Sequence, residues 1–114
     1  MGKETSIVTE FTEISAFSGA PAECRHHCIY GRGLRELAEE DHLWIPLTNR
    51  EHNMSTYGLI FQIHENPAAE KLSKMVGQLA WEKEFYRNLL KLHEDHDADI
   101  ARERFRARYG ISYL

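Results

Sequence analysis

The chain is poor in cysteine, holding only Cys24 and Cys28 among 114 residues. Two thiols this few and this close cannot form a disulfide framework, and in a reducing compartment they serve as free thiols or metal ligands. Long apolar runs are missing too. No stretch approaches the roughly 18 consecutive apolar residues of a membrane-spanning helix. The N-terminus shows no signal-peptide pattern, so a cytoplasmic location without membrane association is expected. Nor is positive charge in excess. Fourteen Lys and Arg stand against 18 Asp and Glu, a net charge of −4 with histidines neutral. That balance suits tight nucleic-acid binding poorly, because such binding draws much of its affinity from phosphate neutralisation. It leaves room for a local basic patch.

What is present fits one ordinary globular domain over residues 1–114, at 42% hydrophobic and 28% charged. Seven histidines are many for this length. Two are adjacent, in Cys24-Arg25-His26-His27-Cys28, and a Gly31-Arg32-Gly33 turn follows. Histidine is the commonest metal ligand and the side chain best suited to general-base work near neutral pH. Neighbours in a strand point to opposite faces. One histidine can then bind a metal while the next faces a substrate, and a bent strand would return both to one site. On these residues alone, a chance or purely structural pair is the commoner reading.

In order, residues 6–14 are rich in β-branched side chains, with Ile7, Thr9 and Phe11 on one alternation, and predict a strand. Residues 15–21 are turn chemistry. The His-His segment reads as a short strand, residues 34–41 as a short helix carrying Leu34 and Leu37 inward, and residues 43–47 as a second strand ending near Pro46. Thr48 or Asn49 would cap a short helix carrying His52. Asn66-Pro67 is a helix start, and the longest helix should run over about residues 67–93. Leu72, Met75, Val76, Leu79, Phe85 and Leu89 form its apolar stripe, broadened by Trp81, Tyr86 and Leu90. A stripe this wide would also let the helix pair with a second copy of itself as a homodimer. Residues 94–97 are an acidic break, which with His93 and His96 reads as a solvated linker more readily than as a cation site. A last helix over residues 98–108 stops at Gly110, and Ile111, Tyr113 and Leu114 should dock on the body.

Taken together, Gly19-Ala20-Pro21-Ala22, His26-His27, Gly31-Arg32-Gly33, Pro46-Leu47, His52-Asn53 and His64-Glu65-Asn66 follow a familiar order. Gly77-Gln78, Trp81-Glu82, Tyr109-Gly110 and Tyr113-Leu114 extend it. The chain resembles the HNH, or His-Me finger, endonucleases, above all their small phage and prophage members, over roughly residues 15–114. The resemblance implies an α+β fold. Its core is a small ββα-metal unit over about residues 15–66, preceded here by the short N-terminal strand. A helical part over about residues 67–114 follows, with the long helix and a short terminal one. It implies His26 as a metal ligand, His27 as the general base that activates water, and His52 and His64 as further ligands. One divalent metal follows, Zn²⁺ rather than Mg²⁺ with Ni²⁺ or Mn²⁺ as alternatives, since imidazoles suit transition ions. Arg32 and Arg35 would contact a phosphate or a partner. Cys24 or Cys28 could add a thiolate ligand, which would close the site and make it structural.

The chain departs from the family where structural zinc is held. Ser15 and Ser18 replace one cysteine pair, and Thr48 and Glu51 replace the other. All four ligands of that knuckle are absent together, and packing by Phe17, Trp44 and Ile45 is expected to substitute for it. The central Asn of the signature has no clear counterpart. Two functions follow, beside a metal-stabilised helical domain with neither role. One is a metal-dependent DNA endonuclease of phage type. The other is a catalytically silent metalloprotein that binds and inhibits a basic, nucleic-acid-handling protein, such as a host CRISPR effector nuclease. The acidic balance and the run of residues 94–99 suit the second partner.

Overall fold

A computed structural model of the chain describes residues 5–54, 66–92 and 99–114. The architecture is α+β. Strand β1 (Cys24–His27) is followed by helix α1 (Leu34–Glu40), strand β2 (Trp44–Leu47) and a π-helical turn (Arg50–Met54). Helices α2 (Pro67–Lys91) and α3 (Ile100–Tyr109) complete the order. The strands pair antiparallel, with Cys24 opposite Leu47 and His27 opposite Trp44. Helix α1 fills the connection between them. Gly31 and Gly33 turn the chain from β1 into α1 at φ of +126° and +77°, backbone conformations that side-chain-bearing residues rarely adopt.

Residues 6–14 do not form the expected strand. They run irregularly across the body, tied by the Ile7 amide to the His42 carbonyl at 3.0 Å and by Ser6 Oγ to the Trp44 carbonyl at 2.6 Å. The Ser6 and Thr9 hydroxyls accept from the amides of Val8 and Phe11, local bonds that compete with a ladder. The alternation also fails, because Ile7 and Val8, not Ile7 and Phe11, reach the core.

Helix α2 starts as its sequence dictates, with the Asn66 side chain accepting from the Ala68 and Ala69 amides and Pro67 in the first turn. Its packing face does not. Leu72 and Leu79 are 59% and 55% exposed, and Val76 and Leu90 are exposed beside them. The buried face is Ser73, Gly77 and Gln78, continued by the half-buried Trp81. Close approach explains the choice: a Cβ on Gly77 would lie 2.9 Å from Cys28 Cβ and 3.0 Å from Ile29 Cγ1.

The core gathers Ile29, Ala38, Leu43, Phe105 and Tyr109, with Leu34, Leu37, Trp81 and Tyr113 packed around it. Helix α3, capped by Gly110 as expected, contributes Phe105 and Tyr109, whose rings stack at 4.5 Å. The C-terminal segment docks through polar contacts. The fully buried Gln78 accepts from the Tyr113 amide at 2.6 Å and donates to Ser112 Oγ at 2.9 Å. Tyr113 lies on the core, whereas Ile111 is exposed. The acidic break expected over residues 94–97 lies outside the described residues. No helix among the described residues is long and apolar enough to cross a membrane.

Candidate metal centre

Strand alternation separates the adjacent histidines. His26 is fully buried and faces α2, where its Nε2 lies 2.7 Å from Ser73 Oγ. The single Ser73 hydroxyl hydrogen goes to the Cys28 carbonyl at 2.8 Å. The serine oxygen therefore accepts, and His26 Nε2 donates. In the neutral ring this leaves the lone pair on Nδ1, which is itself buried.

The π-helical turn brings the second imidazole. Its register is set by Thr48, whose carbonyl accepts from the His52 amide at 3.1 Å and whose hydroxyl accepts from the Glu51 amide at 3.2 Å. The His26 and His52 rings meet edge to face, with centroids 5.1 Å apart. Tyr30 takes a similar position against His26 at 5.4 Å and donates its hydroxyl to Glu70 at 2.9 Å. Burial, reinforced by that carboxylate, raises the Tyr30 phenol well above its ordinary range. The third expected ligand, His64, lies outside the described residues. No three His, Cys, Asp or Glu side chains among the described residues gather to hold a metal. Neither Cys24 nor Cys28 therefore completes a set with His26 and His52 there.

Both thiols are held protonated. The Cys24 thiol donates to the Leu47 carbonyl at 3.5 Å, and burial together with Glu23 and Glu51 raises its pKa. Cys28 packs against Gly77, and burial pushes its thiol up to about 12.

His27 faces α1. Its ring is 10% exposed, and Nε2 lies 2.6 Å from Glu39 Oε1. Arg35 Nε donates to His27 Nδ1 at 3.4 Å, a long and weak bond. Glu39 also receives Arg25 Nη2 on both oxygens, at 3.0 and 2.8 Å, and the Arg25 guanidinium lies over Trp44. The His27 hydrogen bond, with help from Arg25, lowers the Glu39 pKa against the cost of partial burial. Arg35 thus reaches the expected base, whereas Arg32 is an exposed turn residue.

The four positions where the resembling family carries zinc cysteines converge in space. Glu51 Oε1 accepts from Ser15 Oγ at 2.5 Å and from the Thr48 amide at 2.9 Å. Ser15 Oγ accepts in turn from the Ser18 amide at 3.2 Å. A carboxylate joins these segments where packing by Phe17 was expected, and Phe17 is 51% exposed. Trp44, by contrast, is buried.

Two residues that matter here escape a reading of the sequence. Ser73 is a polar position between apolar ones on α2, and only its contact with His26 gives it meaning. Glu39 follows Arg35 at helical spacing on α1, which places the two on one face but says nothing about His27. No protein-family model matches the chain, and neither does any curated protein or solved structure.

Proposed function

We propose that the chain is an HNH-like, ββα-metal protein that binds one divalent transition metal and hydrolyses phosphodiester bonds in DNA. The observation that carries this reading is the fixed tautomer of His26. A ligating histidine characteristically donates its second ring nitrogen to an outer partner, which aims the lone pair of the first. His26 does this through Ser73, and its ring packs edge to face against His52 with centroids 5.1 Å apart. An all-nitrogen donor set suits Zn²⁺ or a neighbouring ion better than Mg²⁺. His26 and His52 would hold it, with His64 as the third nitrogen. The ion would supply a Lewis acid for the phosphate oxygen and the leaving group.

The chain's own residues supply the rest. His27 takes a proton from water, the water oxygen bonds to phosphorus, the ester P–O bond breaks, and the leaving oxygen collects a proton from solvent. Arg35 and Arg32 bind phosphate oxygens. The convergence of Ser15, Ser18, Thr48 and Glu51 supports the same scaffold, since the Glu51 carboxylate takes the Ser15 hydroxyl and the Thr48 amide directly and Ser18 joins through Ser15 Oγ.

One observation favours the second reading, a silent metalloprotein that binds a basic nucleic-acid-handling protein. The His27 ring is nearly covered, and both of its nitrogens are engaged. Plasmid nicking with Mg²⁺, Mn²⁺, Ni²⁺ or Zn²⁺, beside His27→Ala, separates the two. Nicking that His27→Ala abolishes in a folded protein supports hydrolysis. Metal binding that depends on His26 and His52, with no nicking under any ion, sinks the hydrolytic reading in favour of the silent one.

A further inference from the structure

The groups around His27 assign roles that neither the histidine pair nor the Gly-Arg-Gly turn suggests. Glu39 is acceptor-only as a carboxylate, and its oxygen lies 2.6 Å from His27 Nε2. The Nε2 nitrogen must then carry the proton. Arg35 is donor-only, and its Nε points at His27 Nδ1, which must present its lone pair. The short Glu39 bond therefore sets the tautomer, and the long Arg35 contact on the opposite side of the ring agrees with it. Arg25 holds the Glu39 carboxylate from behind with one nitrogen on both oxygens, so the acceptor is fixed before the ring arrives.

We propose that Glu39 is the positioning residue of His27, locking its proton on Nε2 and its lone pair on Nδ1, and that Arg35 is a cap which leaves that lone pair for a phosphate of the substrate. The base role rests on the hydrolytic reading above; the locked tautomer does not. Release of the 3.4 Å contact costs little, whereas a guanidinium gains a charge-assisted bond on meeting phosphate. Substrate binding and exposure of the base then become one event. The proton taken from water enters Nδ1, and the imidazolium so formed is held by the Glu39 carboxylate until the proton leaves to solvent.

The test uses the full chain, labelled with ¹⁵N and ¹³C, without metal and at about pH 8, above the ordinary imidazole range. Long-range ¹⁵N–¹H spectra read the tautomer of each ring, and His27→Ala assigns the His27 signals. The native protein should show a bare Nδ1 and a protonated Nε2 at His27. Glu39→Gln should keep that pattern, because its amide oxygen accepts as the carboxylate does. Glu39→Ala should release the ring into a mixture of tautomers and, in the separate nicking assay with metal added, lower the kcat by about 10- to 100-fold with KM unchanged. Arg35→Ala should leave the tautomer intact and raise KM. An unchanged His27 tautomer in Glu39→Ala overturns the proposal, as does an unchanged KM in an active Arg35→Ala. Should the native protein fail to nick, the hydrolytic reading and the cap role fall together, while the spectra still decide whether Glu39 locks the ring.

Discussion

Ser15 and Glu51 are 36 residues apart in sequence, and the hydroxyl of one donates to the carboxylate of the other across 2.5 Å. Both are buried. Burial alone would raise the Glu51 pKa, but the Ser15 hydroxyl and the Thr48 amide outweigh it and hold the carboxyl below its usual range. A carboxyl depressed by folding contributes stability that is fully present above its unfolded value of about 4.3 and is lost as pH falls through the folded value. The Glu51 contribution, read as the difference in urea stability between native and Glu51→Ala chelator-treated protein, should therefore be constant down to about pH 5 and shrink below it. Glu51→Ala should cost about 2–4 kcal/mol at neutral pH, because it removes two charge-assisted hydrogen bonds and strands the Ser15 hydroxyl. It should also flatten the acid limb. An acid limb of undiminished slope in the variant would show that other carboxylates carry it.

Gly77 marks where α2 touches the turn after β1. The atoms a new Cβ would meet, Cys28 Cβ and the Ile29 side chain, sit close to their own backbone and belong to the packed interior. Gly77→Ala gains about 1 kcal/mol in helix propensity, against about 1–3 kcal/mol of overpacking. The contact at 2.9 Å is short enough for the second effect to win. We expect a net loss of about 1 kcal/mol, measured as a lower urea midpoint with an unchanged slope. A stabilised variant would mean that α2 sits farther from Cys28 than these distances state.

Asp41 ties three elements together at the end of α1. It accepts from Trp81 Nε1 at 3.1 Å, Tyr109 Oη at 2.7 Å, and Arg108 through Nε at 2.7 Å and Nη2 at 2.9 Å. Removing one partner of a shielded, multiply bonded charge strands the others. Asp41→Ala should cost about 3 kcal/mol and change the fluorescence of Trp81. Arg108→Met should cost less, since the Trp81 and Tyr109 donors keep their acceptor. Equal losses in the two variants would assign the whole effect to the ion pair.

Much of the frame was legible in sequence for local reasons. The Asn66-Pro67 start, the Gly110 stop, α1, β2 and the Thr48-capped turn with His52 all follow from capping and turn chemistry, which act over a few residues. The face of α2 was not legible. A wide apolar stripe predicts which residues prefer burial, whereas the observed contact selects those small enough for close approach, Ser73 and Gly77. Residues 6–14 misled for a related reason. Their β-branched side chains favour a strand, but neither strand of the sheet pairs with them. At the site, the resemblance implied His26 and His52 as neighbours, and their rings meet edge to face. Ser73 and Glu39 were not legible, because their roles depend on which side of β1 each helix packs.

Ser73→Ala tests the proposed metal centre through a residue that would not touch the ion. The substitution removes the acceptor for His26 Nε2 and the donor to the Cys28 carbonyl, while the alanine side chain still suits the close contact of α2 with β1. Without its acceptor, the His26 ring is no longer held with its proton on Nε2. Loss of such an outer partner typically lowers metal affinity about 10- to 100-fold. Zn²⁺ titration by calorimetry should show that drop in Ser73→Ala, a complete loss in His26→Ala and His52→Ala, and little change in Cys24→Ser. Stability without metal should fall by only about 1–2 kcal/mol, so a folded variant is available for the comparison. Native affinity in Ser73→Ala together with native affinity in His26→Ala would remove His26 from the ligand set. Native affinity in Ser73→Ala alone would keep the ligand and deny the serine its role in aiming it.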